Sequence, residues 1–286
     1  MTAKVTIDFM VAGFAKCGTT SVCAALARHP QIFMSDVKEP RYFSSREFDQ
    51  RHRYYEKLYE SAKPGQKLGD GSPSYSGAGN AEVAIQRIRA NNPDCRFILI
   101  ARNPRKRIES FYRELHNSAS RWGVLPPFAM QRFLEAHSDA WENAMFFDRT
   151  NAFIQAFGPD AVLPILLEDF RADSDSVLRR CCEHIGVDPA LLPPPEAVHL
   201  NVGTEKYHDT QFLRWLKRNR PIRRAITRMP LQRQNSVLGA LRLRVPFGDK
   251  PLPWDEPSEQ LYREKVVPQA HRFLELCGKP ADYWQL

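Results

Sequence analysis

The sequence predicts an α/β protein with a central parallel sheet and helices on both faces. Two observations predict it. Short apolar runs the length of buried strands recur along the chain, and segments of helical length and amphipathic character separate them. A third observation is punctuation, because Gly and Pro mark most of the junctions.

Ile7 to Gly13 is the first strand-like run and leads into a glycine-containing turn. Thr19 to Arg28 follows as a helix, with Val22, Ala25 and Leu26 at helical spacing, and stops before Pro30. Lys38-Glu39-Pro40 is expected to be a loop, since the residue before proline is pushed out of the helical region. Phe48 to Tyr59, aromatic and charged, is expected to be helical and to break at Pro64-Gly65. Leu68 opens a short strand that ends in the loop Gly69-Asp70-Gly71-Ser72-Pro73. Glu82 to Ala90 is an amphipathic helix, and Phe97 to Ala101 is the second apolar run. Asn103 as cap and Pro104 at the first helical position start a helix expected to reach about His116.

Arg121 to Pro127 is expected as a loop. Helices follow at Phe128 to His137 and Asp148 to Phe157, the second stopped by Gly158-Pro159. Ala161 to Leu167 is the third apolar strand, and Ser174 to Ile185 is a helix closed by Gly186. Pro193-Pro194-Pro195 is a rigid spacer. Beyond it lies a basic segment interrupted by Pro221 and Pro230, then a final helix from about Ser258 to Cys277, stopped by Gly278. The part after the spacer is too short and too basic to bury a core alone. The expected organisation is therefore one domain, residues 1–286, with a basic helical C-terminal extension over about 206–245 packed on it.

Composition excludes several classes. With 43% hydrophobic and 26% charged residues in a chain of 286, a disordered chain, a collagen-like fibre and a disulfide-dense mini-protein are ruled out. The six cysteines contain no CxxC pair, which argues for free thiols rather than a zinc or disulfide framework. No metal is expected. The apolar run at Phe9 to Ala15 lacks a basic flank and a cleavage site, and no stretch approaches a membrane span, so a cytoplasmic location is expected. The net charge of +8 invites polyanionic partners, but it is not spread evenly. Lys206 to Arg244 holds 11 basic residues and one acid, Asp209, which leaves about −2 for the rest of the chain. Four roles for that segment stay open: a helical cover with a solvated basic face, a rim attracting an anionic acceptor or nucleotide, a peripheral contact with anionic lipid, and nucleic-acid binding. The last is not expected.

Two motifs carry chemistry. Gly13-Phe14-Ala15-Lys16-Cys17-Gly18-Thr19-Thr20 follows a strand and opens a helix, where backbone N–H groups and the helix dipole favour a phosphate. The spacing is that of a P-loop with one departure: Thr19 stands where an NTPase has its lysine, and the lysine sits earlier, at Lys16. The overall class is thus a P-loop-type three-layer fold. The second motif, Arg102-Asn103-Pro104-Arg105-Lys106-Arg107-Ile108-Glu109-Ser110-Phe111-Tyr112, follows the second apolar strand. An arginine and a hydroxyl beyond a strand end make a plausible phosphate clamp.

Together these motifs resemble the 5′-phosphosulfate loop and the 3′-phosphate-binding strand–helix of sulfotransferases that use 3′-phosphoadenosine 5′-phosphosulfate (PAPS). Lys38-Glu39-Pro40-Arg41-Tyr42-Phe43 resembles the segment bearing the catalytic glutamate in the bacterial, carbohydrate-type, heparan-sulfotransferase-like branch. Asp70-Gly71-Ser72-Pro73-Ser74-Tyr75 resembles its acceptor-side loop, although some members carry lysine where this chain has Gly71. Tyr283-Trp284 is similar to the end of bacterial members.

The resemblance implies roles. Backbone N–H groups of Cys17, Gly18, Thr19 and Thr20 hold the 5′-phosphate, with the two threonine hydroxyls assisting. Lys16 stabilises charge on the bridging oxygen. Arg102 and Ser110 bind the 3′-phosphate, and Lys206 and Tyr207 are candidates for a further nucleotide contact. Glu39 takes the proton of an acceptor hydroxyl, a sugar, a lipid-linked glycan or a small metabolite, as it attacks sulfur, and adenosine 3′,5′-bisphosphate leaves. His116 is the next candidate base. Arg107 is either a direct contact or an ion-pair partner within the fold. Two alternatives stand beside this reading: a P-loop nucleotide kinase or NTPase, with Glu168-Asp169 as nearest magnesium-binding acids, and an anionic-membrane or nucleic-acid binder acting through the basic segment.

Overall fold

The structure is a computed structural model, and it describes residues 5–122, 125–194, 206–248 and 251–286. In chain order the first elements are β1 (Phe9–Gly13), α1 (Thr19–Leu26), β2 (Ile32–Met34), α2 (His52–Lys57), β3 (Lys67–Asp70), α3 (Ala81–Asn91) and β4 (Arg96–Ala101). Next come α4 (Pro104–Trp122), α5 (Met130–Ala136), α6 (Asp139–Glu142), α7 (Phe146–Phe157), β5 (Val162–Leu166), α8 (Leu167–Ala172) and α9 (Ser174–Ile185). The rest are β6 (Tyr207–Asp209), α10 (Gln211–Leu216), α11 (Arg220–Thr227), α12 (Leu231–Ala240), β7 (Arg244–Pro246), α13 (Glu256–Leu261) and α14 (Val267–Leu276). The chain divides into two compact units. The first is Met1–Pro104, Glu142–Leu200 and Lys265–Leu286; the second is Arg105–Trp141 and Asn201–Glu264. The segment 206–245 lies in the second unit, together with 105–141.

In the first unit, five strands form one sheet in the order β2-β3-β1-β4-β5, and every neighbouring pair is parallel. β1 is buried along its whole length, and β4 along all but Arg96. That two-sided burial is why these strands read as unbroken apolar runs. On one face Phe9, Val11, Ile98, Ile100 and Ile165 pack with Val22 and Leu26 of α1 and Leu178, Cys181 and Ile185 of α9. The other layer includes α7, whose Phe153 meets Phe97 of β4 at 4.9 Å between ring centroids. The expected helix Ser174–Ile185 is bounded by a cap at each end. The Asp173 carboxylate accepts from the Ser176 N–H at 3.0 Å, and Gly186 takes a left-handed φ of 83°.

The structure corrects the expected helix boundaries at three places. The helix expected over Phe48–Tyr59 is a 3-10 turn at Phe48–Gln50 followed by α2 alone. α4 continues past His116 to Trp122; His116, Asn117, Ser118 and Ala119 are all buried, so this added turn is held by packing on more than one side, with the Ser118 hydroxyl bonded back to the Glu114 carbonyl. The single helix expected over 258–277 is instead α13, a π-helical stretch at Tyr262–Val266, and α14. Pro268 at the start of α14 lacks the N–H a continuous ladder needs. Pro195, Gly203 and Thr204 lie outside the described residues.

In the second unit, α10, α11 and α12 share a small apolar centre of Leu213, Ile226 and Leu238. Beside it β6 and β7 pair antiparallel. Asp209 at the end of β6 is 5% exposed and faces Lys217 at 2.5 Å and the Arg244 Nε at 3.0 Å, both cations about as buried as a core side chain. Arg244 also donates to the carbonyls of Asn117 and Tyr207 at 2.6 and 3.3 Å. The one acid of the basic segment is therefore an internal counter-ion. Among the described residues, no helix is long and apolar enough to cross a membrane.

Candidate active site

The winding of the sheet places the site. The chain lays β2 and β3 on one side of β1 and then crosses to β4 on the other. β1 and β4 thus flank the point where the winding reverses, which is where open α/β sheets leave a ligand crevice beyond the carboxyl ends of the strands. The loop Phe14–Gly18 leaves β1 there, and Arg102 leaves β4 there.

The loop between β1 and α1 is shaped by its backbone. Lys16 and Gly18 both take left-handed conformations, with φ of 69° and 94°. The Phe14 N–H donates to the Ile100 carbonyl at 2.8 Å, tying the loop's start to β4. The Cys17 N–H donates to the Phe14 carbonyl at 3.1 Å and closes a turn. Arg102 Nη1 donates to the Lys16 carbonyl at 3.3 Å, so the second motif braces the first. Gly18 caps α1 without any side-chain bond, and the first turn of the helix carries no acidic residue. No carboxylate of its own first turn offsets the partial positive charge at that end of α1. Thr19 is buried and Thr20 exposed, and Cys17 is fully buried with its thiol turned to the Ala15 carbonyl.

Arg102 is followed by an anchor. The Asn103 N–H donates to Glu168 at 2.9 Å, and its side-chain amide donates to the Trp284 carbonyl at 2.6 Å. The Trp284 indole N–H donates to the other Glu168 oxygen at 3.2 Å. Asp169 accepts from Lys279 at 2.9 Å and the Tyr283 hydroxyl at 2.6 Å. The acids that an NTPase reading would assign to magnesium are committed here to holding the C-terminal segment.

Glu39 lies on the loop after β2, its side chain 27% exposed between two cations. Lys38 Nζ is 2.6 Å from Oε1, and Arg41 meets Oε2 through Nη2 at 2.6 Å and Nε at 3.2 Å. Burial pushes the carboxyl up, but the hydrogen bonds and charges of Lys38 and Arg41 outweigh it and hold Glu39 below the ordinary glutamate value of 4.5.

The loop after β3 supports this segment. Ser72 Oγ accepts from the Arg41 N–H at 2.9 Å, and the Ser44 and Ser74 hydroxyls meet at 2.8 Å. Behind Glu39, the Tyr42 ring stacks on Tyr55 at 4.3 Å and Phe43 meets Tyr75 edge-on at 5.7 Å. Asp70 is fully buried, and its Oδ2 accepts from the Tyr55 and Tyr75 hydroxyls at 2.8 and 2.7 Å. Burial raises its pKa, opposed by the hydrogen bonds of Ser72, Tyr75 and Tyr55. Gly71 is the point of closest approach. A Cβ there would stand 2.9 Å from the Lys38 carbonyl and 2.7 Å from Cys23 Sγ. Cys23 belongs to the second turn of α1, and burial pushes its thiol up to about 12, with the charges of Lys38, Asp70 and Glu39 all reaching it. Gly71 therefore lies between the Lys38 carbonyl and Cys23 of α1, the helix that follows the Lys16–Gly18 loop.

Sequence reasoning missed the clamp on Glu39 and the Asp70–Tyr55–Tyr75 cluster. The basic residues on either side of Glu39-Pro40 and the i, i+4 pair Tyr55 and Tyr59 were the available signals.

Ser110 stands half-buried in α4, in the second unit. Lys206, also there, pairs with Glu114 at 2.7 Å, and the Tyr207 N–H donates to the Asn117 side chain at 3.1 Å. Arg107 is 1% exposed and donates to the carbonyls of Asp139 and Ala140, so it serves the fold internally. His116 does not lie at a helix end. It is buried among Tyr112, Phe128 and Phe133, with a ring nitrogen 3.2 Å from the Pro127 carbonyl. Burial lowers its pKa to about 3, which unfits it as a base near neutrality.

No curated protein matches the chain. Among solved structures, the sulfotransferase from Alicyclobacillus acidocaldarius matches at 18% identity, covering 99% of this chain and all of the other, with a TM-score of 0.62. The sulfotransferase domain from the curacin biosynthetic pathway matches at 17% identity over 85% of this chain and all of that domain, with a TM-score of 0.52. Both share the parallel-sheet fold. The sulfotransferase family profile matches residues 34–190, more than half of the chain and the stretch that contains Glu39, β3, β4 and Arg102. The chain belongs to the sulfotransferase family.

Proposed function

We propose that this sulfotransferase uses PAPS as donor and a hydroxyl as acceptor, with Glu39 as the base. The observation that carries the reading is proximity to α1: the left-handed Lys16–Gly18 loop leads into the helix, and Gly71 lies between Cys23 in its second turn and the Lys38 carbonyl next to Glu39. The uncapped helix end and the Arg102 brace fit a 5′-phosphate held by main-chain N–H groups and Lys16. Assignment of the 3′-phosphate to Arg102 and Ser110, and of further nucleotide contacts to Lys206 and Tyr207, rests on the sequence pattern. The carbohydrate-type branch is the finer proposal, supported by Lys38-Glu39-Pro40-Arg41-Tyr42-Phe43.

The donor supplies an activated sulfuryl group on a phosphate leaving group. The chain supplies positive charge where that phosphate departs and a proton acceptor where the hydroxyl attacks. Lys16 serves the first need. Glu39 serves the second, already ionised because Lys38 and Arg41 hold it so. An arriving acceptor has to displace one of these cations to reach a free carboxylate oxygen. Arg41, with a side chain 57% exposed, is the easier to move.

Glu39→Gln is the direct test. Turnover should fall by about 10²–10⁴-fold, while adenosine 3′,5′-bisphosphate binds as in the wild type by calorimetry. The product is read as a mass gain of one SO₃ group. Full turnover in Glu39→Gln moves the base elsewhere. Magnesium-dependent binding of ATP in preference to the bisphosphate would replace the whole reading with the NTPase one.

A further inference from the structure

We infer that the α10–α12 part of the second unit is a docking surface for an anionic lipid bilayer. Two independent features of one small substructure argue for it: the charge it exposes and the apolar side chains it exposes. Arg218, Arg220, Arg223, Arg224, Arg228, Arg233 and Arg242 are all exposed there. The segment's one acid, Asp209, is buried between Lys217 and Arg244, so no carboxylate within the segment offsets them at the surface.

The apolar groups are large and displayed against the usual trend. Trp215 is 61% exposed and Phe212 58%, their rings 5.9 Å apart and nearly parallel. Val237 of α12 and Leu241, which caps that helix at its C-terminal end, are also exposed. The inward faces of the same helices already supply Leu213, Ile226 and Leu238 to the centre of the unit. The outward side chains are therefore surplus to that packing. Exposed aromatic and aliphatic groups among arginines are the composition of an interfacial surface: the apolar groups enter the headgroup boundary and the guanidiniums meet lipid phosphates. Beside the aromatic pair a depression of about 320 Å³ is lined by Leu125, Phe128, Gln211, Arg214, Trp215 and Arg218, where the Arg214 guanidinium lies 4.5 Å over the Phe128 ring and donates to the Leu125 carbonyl. Nucleic acid would use the arginines and the aromatic pair, but it leaves Val237 and Leu241 without a partner.

The inference does not rest on the chemistry proposed above. The test is co-sedimentation of the whole protein with vesicles of phosphatidylcholine alone and of equal parts phosphatidylcholine and phosphatidylglycerol. Binding is expected only to the anionic vesicles and should weaken as salt rises. Each arginine near such a surface contributes enough that Arg223→Glu/Arg224→Glu should weaken binding by roughly thirty-fold or more. Brominated acyl chains should quench tryptophan emission in the wild type, and Trp215→Phe should remove most of the quenching while retaining binding. Far-UV circular dichroism confirms that each variant is folded. Equal binding to both vesicle types, no binding to either, or quenching unchanged in Trp215→Phe overturns the proposal. So does a preference for RNA over the anionic vesicles at matched salt.

Discussion

Gly71→Ala isolates the contact between the two loops that support Glu39. Gly71 does not have a left-handed backbone, so alanine there meets no torsional penalty. The whole effect is steric. The new Cβ would lie 2.9 Å from the Lys38 carbonyl and 2.7 Å from Cys23 Sγ, where ordinary contact begins at 3.4 Å. The sulfur can rotate; the carbonyl belongs to the backbone next to Glu39 and has to retreat by about 0.5 Å. Overpacking of this kind costs about 1–3 kcal/mol, a fall in Tm of about 2–12 °C for a chain of this size. A misplacement of about 1 Å at a catalytic group costs about 10²-fold, so half of that predicts roughly a tenfold loss of kcat. Affinity for adenosine 3′,5′-bisphosphate should stay unchanged, because the atoms nearest position 71 belong to Cys23, Lys38 and Met34. The measurements are initial rates of sulfuryl transfer, calorimetry with the bisphosphate and a thermal melt. An alanine variant with wild-type turnover and Tm would refute the idea that the two loops are packed backbone to backbone. Gly71→Lys, the residue some family members carry, should be worse in this context.

Two other outcomes follow from the electrostatics. Glu39 is depressed in the folded protein, so its ionised form should persist as pH falls through 4.5, and the acid limb of kcat/KM should lie below that value; Arg41→Ala, which removes two of its three hydrogen bonds, should move the limb upward. Asp209→Ala leaves Lys217 and Arg244 buried without their counter-ion and should destabilise the second unit by about 3–5 kcal/mol, read by urea unfolding; replacing all three residues with apolar side chains should recover most of it.

The legible parts of the fold are those whose burial is local in sequence. β1, β4 and β5 are five or six residues long and mostly buried, so each shows as an apolar run. β2 has three residues, only one of them buried, and gives no comparable signal. β6 and β7 pair across more than thirty residues, and their polar side chains owe their burial to the Asp209 ion group. The site divides in the same way. Lys16, Glu39 and Arg102 stand in motifs that can be read from spacing. Their partners reach them from far along the chain: Arg102 bonds to Lys16 across 86 residues, and Ser72 to Arg41 across 31. Lys206 belongs to the same lesson, since its counter-charge is Glu114 on a helix the spacing had ended almost there.

The anchor after β4 has a consequence for the order of synthesis. Asn103 is fastened to Trp284, a residue 181 positions later. On the ribosome, β1, α1 and β4 emerge long before the strap that secures the exit of β4. The residue next to Arg102 is thus fastened by a contact that cannot form until Trp284 has been made. A nascent chain halted before Trp284 would lack this anchor, so the exit of β4 and the residue that braces the Lys16 loop would be held only by contacts made earlier in the chain.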